Sequence, residues 1–138
     1  MESLEARNVT TVQGIYQSFL TGDIPGIVAT LADDVAWESF ADNSAQKAGV
    51  PWMQAGQGPA GAMVFFQAIS SWKPLDFQVL STMAGGNQVA VEVQASFELA
   101  SGRQFTDEEV HLWTFNEAGK VSRFRHYVDT AKHIDLAK

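Results

Sequence analysis

His111 and His126 are the residues best suited to chemistry in this chain. Imidazole titrates near neutrality, so a pair can take and return protons at about pH 7. Glu109 stands two places before His111. If both regions are strands, a period of two puts Glu109, His111, Trp113 and Phe115 on one face. The same rule groups Phe124, His126 and Val128, and leaves Arg123, Arg125 and Tyr127 on the opposite side. Two imidazoles among aromatic rings could shuttle a proton or polarise a carbonyl, with Glu109 orienting or charging His111. The competing reading makes His111 a buried hydrogen-bonding residue and His126 part of a wall. A metal set would need His111, His126 and Asp129, two nitrogens and an oxygen. No metal motif of fixed spacing is present, so no metal or other cofactor is expected. Asp129 before Thr130 suits a helix N-cap instead. His133 is then expected on that helix's surface.

The elements that must position these groups follow from hydrophobic period. Val9, Val12, Ile15, Tyr16, Phe19 and Leu20 recur at helical spacing. Gly22 and Asp23 end this helix and cap a short second one, with Pro25 in its first turn. Residues 35–40 read as a strand. Residues 41–57 are polar and small apart from Trp52 and Met53, and read as a loop long enough to be a lid. Trp52 is expected to cover a pocket there. Residues 58–72 return to helical spacing, and Pro74 stops it. Beyond that lie four strands: 75–83, the strict alternation from Val89 to Leu99, 105–115 and 121–128. Turn residues at 85–87, 101–103 and 116–119 join them.

Three helices and one strand followed by a four-strand meander is an α+β order. The meander must curl over the helices to bury so many aromatics. The result is a cone-shaped, curved antiparallel sheet with a pocket at its open end. The chain has 138 residues, which fits a single domain spanning 1–138. It carries 9 Lys and Arg against 16 Asp and Glu, a net charge of −7, which argues against nucleic acid as a partner. There is no Cys, hence no disulfide framework or thiol nucleophile. No signal-peptide pattern and no apolar run of about 18 residues are seen, so a cytoplasmic protein with no membrane partner is expected.

The run from Gly22 to Asp34 resembles the helix pair before the first strand of ketosteroid isomerases. The run from His111 to Ala131 is similar to the last two strands of SnoaL-like proteins, named for polyketide cyclases. Both sit in the nuclear transport factor 2-like superfamily, and the resemblance covers nearly the whole chain. It implies the cone fold, a hydrophobic small-molecule ligand and a homodimer. It also points His111, Phe124 and His126 into the cone.

Carried over residue by residue, the isomerase's catalytic groups change. Its general-base Asp falls on Ser39, with Glu38 one place away and expected on the other face of the strand. Its Tyr donor falls on Ile15, with Tyr16 adjacent, and its protonated Asp falls on His111. The carboxylate that limonene epoxide hydrolases carry on the last strand falls on His126. Steroid isomerisation is therefore not expected. The expected catalytic set is His111, His126 and Glu109. The expected ligand contacts are Tyr16, Trp37, Trp52, Phe66, Phe97, Trp113, Phe124 and Val128. Two function classes remain. One is a cofactor-independent isomerase, cyclase or dehydratase. The other is a non-catalytic ligand-binding or dimeric scaffolding domain.

Overall fold

A computed structural model describes residues 2–40 and 42–138. Helix α1 (Leu4–Leu20) starts where the Ser3 hydroxyl accepts from the Ala6 N–H. It buries Val12, Ile15 and Tyr16. Gly22, at φ 75°, turns the chain out of it. Asp23 caps α2 (Ile24–Val28) by accepting from the Gly26 N–H. Strand β1 (Leu31–Trp37) follows, then α3 (Ser44–Lys47), a 3-10 turn (Pro51–Met53) and the two-residue β2 (Gly56–Gln57). Helix α4 (Gly58–Ala68) packs on β1 and β2. Its approach is close enough that a Cβ on Gly61 would lie 2.6 Å from the Gly56 carbonyl carbon.

The meander is β3 (Lys73–Gly85), β4 (Gln88–Glu98), β5 (Gln104–Phe115) and β6 (Val121–Tyr127), closed by α5 (Thr130–Leu136). The sheet order is β2-β1-β6-β5-β4-β3. The α+β cone is as the sequence implied, with one exception to the antiparallel pattern. β1 runs parallel to its neighbour β6, from which three strands of the meander separate it in sequence. Register shifts in the β1–β6, β3–β4 and β5–β6 pairs mark bulges. Such bulges bend a sheet, here over the helices.

Alternation holds on β4 and β5. Val89, Val91, Val93, Ala95 and Phe97 are buried, and so are Asp107, Glu109, His111, Trp113 and Phe115. Strand β3 is the exposed edge, with Leu75, Val79, Leu80 and Met83 open to solvent. Of the 41–57 segment, residue 41 lies outside the described residues. The remainder is not an open lid. Trp52 is buried, and Gln46 ties the segment down by donating to the Glu38 and Met53 carbonyls. No helix among the described residues is long and apolar enough to cross a membrane.

Candidate active site

Antiparallel pairing of β5 with β6 places His111 opposite His126 and Trp113 opposite Phe124. The imidazole centroids are 4.8 Å apart. Glu109, one inward position along β5, joins them through a single oxygen. Its Oε1 lies 3.0 Å from His111 Nε2 and 2.8 Å from His126 Nε2. Helix α1 supplies Tyr16, whose hydroxyl is 2.6 Å from His111 Nδ1. Trp113 Nε1–H donates to the same hydroxyl oxygen at 3.1 Å. The expected catalytic residues are thus brought together.

The proton positions follow from donor inventory. Indole N–H only donates, so the Tyr16 oxygen accepts from Trp113. The Tyr16 hydroxyl then has His111 Nδ1 as its nearest acceptor. A neutral His111 therefore keeps its proton on Nε2 and donates to Glu109. Burial pushes the His111 pKa down, and this outweighs the hydrogen bond to Glu109 that would raise it. Burial also opposes charge on His126, but the carboxylates of Glu109 and Glu38 beside it lift it to about 10. Burial presses Glu109 upward too, yet the imidazoles hold it well below the usual carboxylate range. Burial raises the Tyr16 pKa, so the phenol stays protonated.

Glu38 corrects the sequence reading. Strand parity put it on the outer face, but β1 ends at Trp37 and Glu38 takes a left-handed φ of 52°. This conformation is rare for residues other than glycine and occurs at functional sites. It turns the carboxylate inward, fully buried, with Oε1 at 3.1 Å from His126 Nδ1. The two atoms are close charges without hydrogen-bond alignment, and neither has another partner among the described residues. Burial raises the Glu38 pKa, only partly offset by His126. His126 therefore lies between two carboxylates driven in opposite directions, an arrangement typical of acid–base sites.

His133 is a second correction. It is buried, not on the helix surface, because it lies three residues from the inward Leu136 on one face of α5. Its Nε2 is 2.8 Å from Asp107 Oδ2, and its Nδ1 accepts from Trp52 Nε1–H at 2.8 Å. Trp52 is thus a buried clamp between the 3-10 turn and α5. Asp129 caps α5 by accepting from the Lys132 N–H.

These groups line a cavity of about 80 Å³. Tyr16, Trp37, Trp52, Phe66, Phe97, Trp113 and Phe124 are in its wall, with Ile15, Phe65 and His133. Val128, by contrast, packs against the core and is not in the lining. Two sets of side chains converge closely enough to hold a cation: Glu109, His111 and His126, and Asp107, Glu109 and His133. Neither includes Asp129. In the second set the Trp52 donor keeps the His133 proton on Nε2, the atom that would have to bind.

Charge linkage makes stability depend on pH in a definite sense. His126, raised in the fold, contributes fully below about pH 6.5 and loses that contribution as pH climbs toward 10. Glu109 and His111, both lowered, contribute above their ordinary pKa values and lose it as pH falls. Glu38, also raised, likewise loses its contribution as pH rises above the ordinary carboxylate range. Thermal melts from pH 4 to 10 are therefore expected to show the highest Tm at or somewhat below pH 6.5, with a decline toward 10. In a His126→Gln variant the alkaline decline should flatten; an unchanged slope would show that His126 does not carry it.

The family model for the SnoaL-like domain matches residues 12–124. The chain belongs to the SnoaL-like domain family. No curated protein matches this SnoaL-like chain. An NTF2-like protein of unknown function from Burkholderia pseudomallei is 24% identical over 96% of this chain and 98% of that one, with a TM-score of 0.79. A putative polyketide cyclase from Xanthomonas campestris is 19% identical over 99% and 100%, with a TM-score of 0.73. The Δ5-3-ketosteroid isomerase of a Mycobacterium species is 19% identical over 88% and 92%, with a TM-score of 0.70. At these identities the likeness establishes the nuclear transport factor 2-like fold of the SnoaL-like chain. Its chemistry has to be argued from its own residues.

Proposed function

We propose that this chain is a cofactor-independent acid–base enzyme acting on a small hydrophobic carbonyl compound through an enolate-like intermediate. Isomerisation, cyclisation and dehydration all share that intermediate. The observation that carries the reading is a pair of facing imidazoles that share one carboxylate oxygen on an apolar cavity, with burial and neighbouring charge driving their pKa values apart. His126, charged at neutral pH, is the acid: its Nε2–H is held by Glu109, so the proton it gives to the developing oxyanion is the one on Nδ1, which makes no hydrogen bond among the described residues. His111, neutral at the same pH, is the base. Its lone pair is on Nδ1, where the Tyr16 hydroxyl already sits, so the ligand's α-proton reaches it through that hydroxyl. Tyr16 passes its own proton to Nδ1 as it takes the one from carbon. Glu109 holds both rings, and Glu38, 3.1 Å from His126 Nδ1, helps keep that ring charged. Water is scarce in a wall of aromatic rings, which strengthens each of these charges.

The test needs no knowledge of the natural substrate. Enolisation exchanges the α-protons of a simple ketone for deuterium in D2O, which proton NMR follows directly. The wild-type chain should accelerate exchange of 2-decanone well above buffer. No acceleration, with 2-decanone nonetheless bound, would leave the non-catalytic ligand-binding reading in its place.

The outer face of the sheet supports a further proposal, a homodimer. Glu92, Gln94, Ser96 and Glu98 lie there with Arg123, Arg125 and Tyr127, beside the exposed Val110. Sedimentation velocity should give a mass twice the 15.0 kDa of the chain. A single species at 15.0 kDa at micromolar concentration would exclude the dimer.

A further inference from the structure

The cavity is too small for a whole hydrophobic ligand. An apolar protein cavity that accepts benzene measures about 150 Å³, whereas this one holds about 80 Å³. The remainder of any ligand must lie elsewhere. A groove of about 340 Å³ adjoins the cavity. Phe19, Phe66, Ile69, Trp72, Phe77 and Phe97 line both spaces, so they form the partition between them. On the groove side the wall continues through Leu20, Ile24 and Pro74. Gly22 and Ser70 complete this mainly apolar wall, which is close to solvent, with Leu20 57% exposed.

Besides His126 Nδ1, two polar groups of the inner chamber lack a hydrogen-bond partner among the described residues. Trp37 is 1% exposed and lines the cavity, and its indole N–H has no hydrogen-bond acceptor among the described residues. Its neighbours Phe65, Phe66, Trp113 and Phe124 offer only rings. A buried donor left in this way is costly, and an acceptor on the ligand relieves it. Glu109 supplies the opposite need. Both imidazole bonds fall on Oε1, and His133 Nε2 stands 3.7 Å from Oε2, beyond hydrogen-bond reach. Oε2 is therefore an anionic acceptor awaiting a donor.

We propose that the ligand is a two-part molecule, with a compact hydroxy-carbonyl head in the inner chamber and an apolar body in the outer groove. The carbonyl accepts from Trp37 Nε1–H and the hydroxyl donates to Glu109 Oε2. This rests on the acid–base reading above, since it names the substrate class of the same site.

Three probes separate the parts: 4-hydroxy-2-decanone, 2-decanone without the hydroxyl, and 4-hydroxy-2-pentanone without the body. Calorimetry should rank the first tightest, at least tenfold above either of the others, because each buried methylene and each recovered hydrogen bond multiplies affinity. In 15N-edited NMR the Trp37 indole N–H should move downfield with 4-hydroxy-2-decanone. Trp37→Phe should weaken binding about fivefold or more. Leu20→Glu at the groove rim should erase the advantage of the long probe without changing the short one. Equal affinity of long and short probes overturns the two-chamber assignment. Binding that shifts the His111 and His126 signals but not that of Trp37 overturns the head assignment and leaves the acid–base reading intact. If no probe binds or moves those imidazoles, both fall.

Discussion

A His111→Gln, His126→Gln double variant is expected to exchange the α-protons of 2-decanone about 10⁴-fold more slowly than wild type. General acid and base catalysis each contribute about 10²–10⁴-fold. Groups that act as a unit are not additive, so either single variant should already lose most of that factor. Glutamine keeps a hydrogen-bonding side chain on each strand, so the pairing of β5 with β6 should survive. Circular dichroism and Tm at pH 8, where burial of a charged His126 counts for less, check that the fold is intact. Wild-type exchange rates in the double variant would end the acid–base reading. Loss in one single variant and none in the other would assign the whole step to one imidazole.

The largest stability effect is expected at Glu109. Replacing it with Ala removes the counter-charge and acceptor of both imidazoles in a buried site. Breaking a buried ion pair by deleting one partner costs about 3–5 kcal/mol. Urea unfolding at pH 6 should report that loss. Glu109→Gln keeps the size but not the charge. There His126 loses its stronger partner, and its titration midpoint, followed by NMR, should fall from about 10 toward neutrality. A midpoint that stays near 10 in Glu109→Gln would mean that Glu38 alone holds the imidazolium.

The strands were the most legible part of the chain, and for a physical reason. A half-buried strand must alternate, and β4 and β5 do so without interruption. Their parity alone put Glu109 and His111 on one face, and the β5–β6 turn placed His126 beside them. Glu38 was illegible because parity stops where a strand stops. One residue beyond Trp37 the backbone enters left-handed space, and no sequence pattern announces a glutamate doing that. His133 was recoverable in principle from its three-residue spacing to Leu136. A seven-residue helix gives that pattern too few repeats to stand out. Trp52 was misleading because glycine and polar neighbours made its segment look solvated, while its indole N–H had a buried partner 81 residues away. Tyr16 fell one position off an alignment centred on Ile15. Both side chains line the cavity, but only Tyr16 has the hydroxyl.

The contacts that build this site also have a kinetic consequence. Tyr16 meets His111 across 95 residues of sequence and Trp113 across 97. Glu38 reaches His126 beside a pair of strands, β1 and β6, that adjoin in the sheet but are separated in sequence by the rest of the meander. Contacts of this range raise contact order and slow a chain's collapse to its native state. The last hairpins can pair while α1 and β1 are still undocked, but the proton path through Tyr16 cannot exist until the first and last quarters of the chain have met. In a refolding experiment, recovery of exchange activity should therefore trail recovery of strand signal. Activity would then report the closing event of folding.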